Sequence, residues 1–269
     1  MTTPPESSPE KPRLPLSKFA AILNLHDKDG LPLLIVGGHS VNAWAHYYLI
    51  KRPEIAQYQP FTSKDLDCLG TLDDIWILKE KSGWEWIPGK ADTKEFIAGA
   101  LRYQEKPGAP ILLLEVLKRA QGASLDEIID RAVQIEITPE ERHVVRVPDP
   151  LLLLKMKIEN AVSFQQDDPA RPRQDIKHVR MLTICTHAFL EELLETQPTK
   201  KAKVLIAQDA LKRLREIQAN HPTKLFIEKY GLNLADCLPP IFLDLATRNT
   251  TQTIQIAKLM RQAGFFKAE

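Results

Sequence analysis

Hydrophobic positions fall into two regimes along this chain. Up to about residue 147 they come in short runs or alternate with polar residues, as in strands. From Asp149 onward they recur every three or four positions, as in helices. Residues 31–36 form an apolar run that reads as a buried strand and breaks into Gly37-Gly38. Val41, Trp44, Ala45, Tyr48 and Leu49 then mark a helix, with His39, Asn42 and His46 at its polar positions. Residues 65–69 (Asp-Leu-Asp-Cys-Leu) alternate and predict a second strand. Trp84 and Trp86 alternate likewise, and residues 94–101 read as a helix. Residues 111–117 predict a central strand buried on both faces, with Glu115 as its one charged position. Ser124 caps a helix over 123–132, and residues 133–137 and 143–147 predict a hairpin that turns at 139–141.

Asp149 with Pro150 opens the first helix of the second regime, continuing over 151–161. A polar loop over 163–171 follows, then helical patterns over 173–182, 187–194, 203–218, 223–230, 235–245 and 251–263. At the other end, residues 1–15 are rich in Pro, Ser and Glu and predict a disordered tail. Ser17 is read as the cap of a short helix over 18–25. The reading is an α+β chain, with a mixed sheet flanked by helices over 16–147 and an all-helical domain over 148–269.

Composition changes this picture little. The chain has 269 residues and a formal net charge of +1. Residues 1–147 carry 18 Lys and Arg against 21 Asp and Glu, whereas residues 148–269 carry 18 against 14. The surplus of cations in the second half suits a role in holding something anionic. Cys68, Cys185 and Cys237 lie far apart without a CxxC, which argues against structural zinc or a disulfide framework. No apolar run approaches the length of a membrane span, so the expectation is a soluble, cytoplasmic protein with no membrane partner.

Candidate chemistry concentrates in residues 33–70. Paired glycines after a strand let the backbone approach a ligand closely, and the next helix offers unpaired N–H groups to an anion. Period 2 places Asp65 and Asp67 on one strand face, with Leu66 and Cys68 on the other. Two carboxylates side by side repel by roughly 4 kcal/mol at an effective dielectric constant of 20, and a divalent cation relieves this. Asp73 and Asp74 are adjacent, so on an extended chain they point apart; they read as a solvated loop. Glu115 needs a partner, a proton or a metal.

In this order, Gly37-Gly38, Arg52, Thr62 or Ser63, and Asp65-Leu66-Asp67 resemble the AbiEii-type nucleotidyltransferases of the polymerase-beta-like superfamily. A helix with Met156-Lys157-Ile158 and Ala161, then Asp175 in a later helix, extends the resemblance over about residues 30–185. Gln174 stands where that family usually has lysine, and His178 where it usually has a second aspartate. The resemblance implies a nucleotidyltransferase-fold sheet followed by a helical domain. It implies transfer of an NMP from an NTP to an acceptor hydroxyl on tRNA, a protein or a small molecule. Asp65, Asp67 and Glu115 would be catalytic and bind two Mg²⁺, with Mn²⁺ as a substitute. Gly37, Gly38, Ser40, Lys157 and Asp175 would bind the nucleotide. It also implies an antitoxin protein as partner if the chain is a toxin. A catalytically degenerate member that only binds nucleotide or a partner is the alternative.

Overall fold

The computed structural model describes residues 12–88, 96–137, 143–166, 173–247 and 251–262. Leu14–Pro15 (β1) leads through a 3-10 turn, Leu16–Phe19, into α1 (Ala20–Leu23). The chain continues as β2 (Leu34–Val36), runs directly into α2 (Gly37–Tyr48), and passes a 3-10 segment, Pro53–Tyr58. Next come β3 (Thr62–Ser63), β4 (Leu66–Leu69), α3 (Leu72–Ser82) and β5 (Glu85–Ile87). They are followed by β6 (Ile97–Tyr103), β7 (Leu112–Leu117), α4 (Leu125–Asp130) and the hairpin of β8 (Ala132–Ile137) and β9 (His143–Pro148). Beyond this the described elements are helical: α5 (Pro150–Ser163), α6 (Asp175–Glu195), α7 (Lys200–Ala219) and α8 (His221–Tyr230). A 3-10 turn, Leu234–Cys237, then precedes α9 (Ile241–Thr247) and α10 (Thr251–Gln262).

Seven strands form one mixed sheet in the order β5-β6-β7-β4-β2-β9-β8. β2 runs antiparallel to β4 and parallel to β9, while β4 runs parallel to β7. Alternation fixes which face of β4 is buried: Leu66 and Cys68 enter the core, and Asp67 shares the other face. β7 buries Leu113, Leu114 and Val116, so apolar residues are covered on both of its faces as expected, and Glu115, half-buried beside Asp67 of β4, is the exception already apparent in the sequence.

Four expectations change. Leu14–Pro15, assigned to a disordered tail over 1–15, pairs antiparallel with Thr62–Ser63; residues 1–11 lie outside the described set. Ser17 makes no capping hydrogen bond, because the chain enters through a 3-10 turn instead of an α-helix. Asp73-Asp74 is no loop. Thr71 caps α3, and the buried Asp74 carboxylate accepts from the Thr71 backbone N–H and hydroxyl, both at 2.7 Å, closing a capping box. Finally, residues 97–103 form a strand and not a helix, since they zip onto both β5 and β7. Gly99 permits this: a Cβ there would stand 2.9 Å from Ile75 Cδ1 and 3.0 Å from Trp86 Nε1.

The second half does not carry a core of its own throughout. The principal hydrophobic cluster runs from Leu14 to Cys237 and joins the sheet, α2, α5 and the first part of α6. Trp44 on α2 donates from Nε1 to the Pro148 carbonyl at 2.8 Å, tying the two halves at the expected boundary between 147 and 148. A smaller cluster gathers the end of α6 with α7, α9 and α10 around Phe242 and Leu211. The patterns expected as separate helices over 173–182 and 187–194 form one helix, α6. No helix among the described residues is long and apolar enough to cross a membrane.

Candidate functional site

Strand register brings the first candidate residues together. Asp67 on β4 and Glu115 on β7 are direct partners across the parallel pair, with Leu66–Leu114 and Cys68–Val116 on either side. Neighbouring strands lie about 4.8 Å apart, so two carboxylates on the same face at one register position are forced close. Asp65, expected on the same strand, lies instead in a bend just before β4, and its charge acts on Asp67. Asp67 keeps a partly accessible surface, yet its carboxyl group is enclosed by protein. Burial, then the Asp65 charge, then the Glu115 charge hold its carboxyl well above the usual carboxylate range, with Lys157 and Arg173 opposing them.

The glycine turn closes on this cluster. α2 begins at Gly37, whose φ of +70° is strained for any residue with a side chain. A Cβ there would overlap the Asp67 carboxylate. At Gly38 a Cβ would lie 2.6 Å from Ser63 Oγ and 3.5 Å from His178 Cε1. No side chain caps the N-terminus of α2, so its first N–H groups and the positive end of its dipole are presented at this turn. Ser40 is buried and donates its hydroxyl to the Gly37 carbonyl at 2.9 Å, so its proton is committed within the helix. Ser63, held by the β1–β3 pairing, is the hydroxyl that stands beside the turn.

Cations reach the cluster from α5 and from the entry to α6. Lys157 Nζ lies 3.3 Å from Asp175 Oδ1, with side chains 7% and 4% exposed. Arg173 Nε lies 2.6 Å from Asp175 Oδ2, and its guanidinium also stacks over Phe164. The Asp175 carboxylate is thus shared between two cations. Although burial pushes its carboxyl up, Lys157 and Arg173 together hold it below the usual range. Lys155, two residues from Lys157, points away and pairs with Glu127 at 3.0 Å. Asp175, expected to bind nucleotide, is here the shared ion-pair partner of Lys157 and Arg173. Arg52 is bound to Glu191 on α6 at 2.7 Å.

The oxygen donors are of the kind a hard divalent cation takes: Asp67 and Glu115 are register partners on adjacent strands, Asp65 stands in the bend before β4, and burial, then the Asp65 and Glu115 charges, press Asp67 toward protonation. Among the described residues, no group of three His, Cys, Asp or Glu side chains is arranged so that it could hold a metal ion. A cavity of about 550 Å³ lies elsewhere, between the ends of α5 and α8, lined by Phe164, Gln166, Leu225 and Tyr230. Ser63, Arg173 and His178 also stand here; Thr62 or Ser63 and the position of His178 were part of the resemblance but were given no role, and the sequence signal of Arg173 is its place two residues before Asp175. No protein-family model, curated protein or solved structure matches this chain.

Proposed function

We propose that this chain is a metal-dependent nucleotidyltransferase that moves an NMP from an NTP to an acceptor hydroxyl. The observation that carries the reading is the register pair Asp67–Glu115, with Asp65 beside it and the glycine turn pressed against Asp67. Carboxylates, an uncapped helix N-terminus and two cations are the parts that phosphoryl chemistry needs, because such transfer relies on positioning and charge neutralisation. Asp65, Asp67 and Glu115 would hold Mg²⁺, which when bound neutralises charge on the phosphates and lowers the pKa of an attacking hydroxyl. The N–H groups at Gly37-Gly38 seat phosphate oxygens, and Ser63 supplies a hydroxyl beside them. Lys157 and Arg173, oriented by Asp175, offset the triphosphate charge. An acceptor on tRNA or a protein, and an antitoxin as binding partner, follow from the resemblance and belong to the same proposal.

Calorimetric titration with Mg²⁺ and a non-hydrolysable NTP tests it. The wild type is expected to bind, and the variant carrying Asp65→Asn with Asp67→Asn to lose metal-dependent binding. Glu115→Gln is expected to retain binding while losing transfer by orders of magnitude, the mark of an interaction that matters mainly in the transition state. Unchanged affinity in the double variant would place any metal site elsewhere.

A further inference from the structure

His178 on α6 is 5% exposed, and neither of its ring nitrogens has a hydrogen-bond partner among the described residues. A buried imidazole with two unpaired nitrogens is costly, so the position asks for an occupant. Its Cε1, which lies between the two nitrogens, is the ring atom that faces Gly38 at the start of α2. The groups whose charges act on it are Lys157, Lys177 and Arg13, against the single carboxylate of Asp175. Of these, Lys177 donates to the Pro60 carbonyl at 2.9 Å and Lys157 pairs with Asp175. The ring therefore sits beside an uncapped helix N-terminus, with Lys157, Lys177 and Arg13 as the cations that act on it. Burial, with Lys157 adding to it, keeps the imidazole neutral, leaving one N–H donor and one acceptor.

We infer that His178 is a ligand-contacting residue, donating a hydrogen bond to a phosphate group seated on the N-terminus of α2 beside Gly38 and Ser63. A cationic side chain alone would attract the anion without orienting it; a neutral imidazole N–H adds a directed donor in a nearly dry setting. That the phosphate belongs to an NTP rests on the proposed function, whereas the anion subsite itself does not.

The test uses the full chain labelled with ¹³C at histidine Cε1, followed by NMR. The chain has seven histidines, and His178→Gln and His39→Met variants assign the resonances of these two. Inorganic tripolyphosphate with EDTA forms one arm, and Mg²⁺ with a non-hydrolysable NTP the other. The His178 resonance is expected to shift in both arms with the ligand's own saturation curve while that of His39 stays. Calorimetry on His178→Phe is expected to show at least about tenfold weaker binding, and His178→Gln, which keeps an N–H donor, to recover most of it. If ligand binds by calorimetry while the His178 resonance stays fixed, the inference fails and the function stands. If tripolyphosphate moves His178 while no NTP is ever transferred, the subsite stands and the nucleotidyltransferase reading fails. If neither ligand binds, both fall. The wild-type spectrum decides even if His178→Phe does not fold.

Discussion

Asp67 and His39 are both enclosed, and burial pushes both toward their neutral form, but they act on stability in opposite directions with pH. The Asp67 carboxyl sits well above its unfolded pKa, so as pH rises past about 4 the unfolded state releases a proton that the native state keeps. Stability therefore falls by up to about 1.4 kcal/mol per pH unit across that window. Asp67→Asn removes this penalty. In metal-free buffer at neutral pH it is expected to raise the thermal midpoint by about 2–4 °C for each kcal/mol regained, and Mg²⁺ should no longer stabilise the variant. His39 is fully buried against Phe19, with neither ring nitrogen partnered among the described residues, and burial lowers its pKa to about 3. Its stability contribution is intact above pH 6.5 and is lost as pH falls toward 3, because only the unfolded state takes the proton. His39→Met should flatten the acid limb of a denaturation profile recorded between pH 7 and 4, leaving neutral-pH stability equal or higher. An acid limb in His39→Met that runs parallel to the wild-type one over that range would contradict the assignment. Residue chemistry of this kind was legible in part. Asp65 and Asp67 stand out because they alternate with apolar neighbours, and Glu115 because it interrupts an apolar run. The pairing of Lys157 with Asp175 spans 18 residues and is set by how α5 meets α6, which no local pattern encodes.

Among the elements, α2 is the one on which the site depends. Its start at Gly37 is dictated by a positive φ and by the room the Asp67 carboxylate takes. Gly37→Ala is expected to cost about 2 kcal/mol or more and to weaken Mg²⁺–NTP binding together with stability, measured by urea denaturation and calorimetry. A fully stable Gly37→Ala variant would mean that the turn is not held as described. The strand–turn–helix over 33–48 was readable because glycine, apolar run and helical period agree. The strand over 97–103 was not, since Ile-Ala-Gly-Ala-Leu carries a weak strand signal and owes its conformation to two neighbouring strands. Asp74 misled for a related reason: a capping carboxylate and a solvated one look alike until the backbone N–H groups it accepts from are in place.

At the scale of the molecule, helices supply what the sheet lacks. The sheet contributes only carboxylates to the site, while Lys157, Arg173 and His178 come from α5, α6 and the residue pair just before α6. The principal core crosses the expected domain boundary, so sheet and first helices are packed as one unit. The helical regime after Asp149 was plain from periodicity; that α5 and α6 complete the sheet's core instead of closing over it as a separate body was not, because periodicity gives a helix's apolar face but not its partner. The central claim is that this assembly transfers a nucleoside monophosphate, and parallel incubations with α-³²P- and γ-³²P-labelled NTPs, Mg²⁺ and a mixture of total RNA and protein test it most directly. The account predicts that only the α label becomes attached to a macromolecule, with pyrophosphate released, and that Asp65→Asn with Asp67→Asn abolishes it. Attachment of the γ label, or none from any NTP under conditions in which the chain is folded, would contradict it.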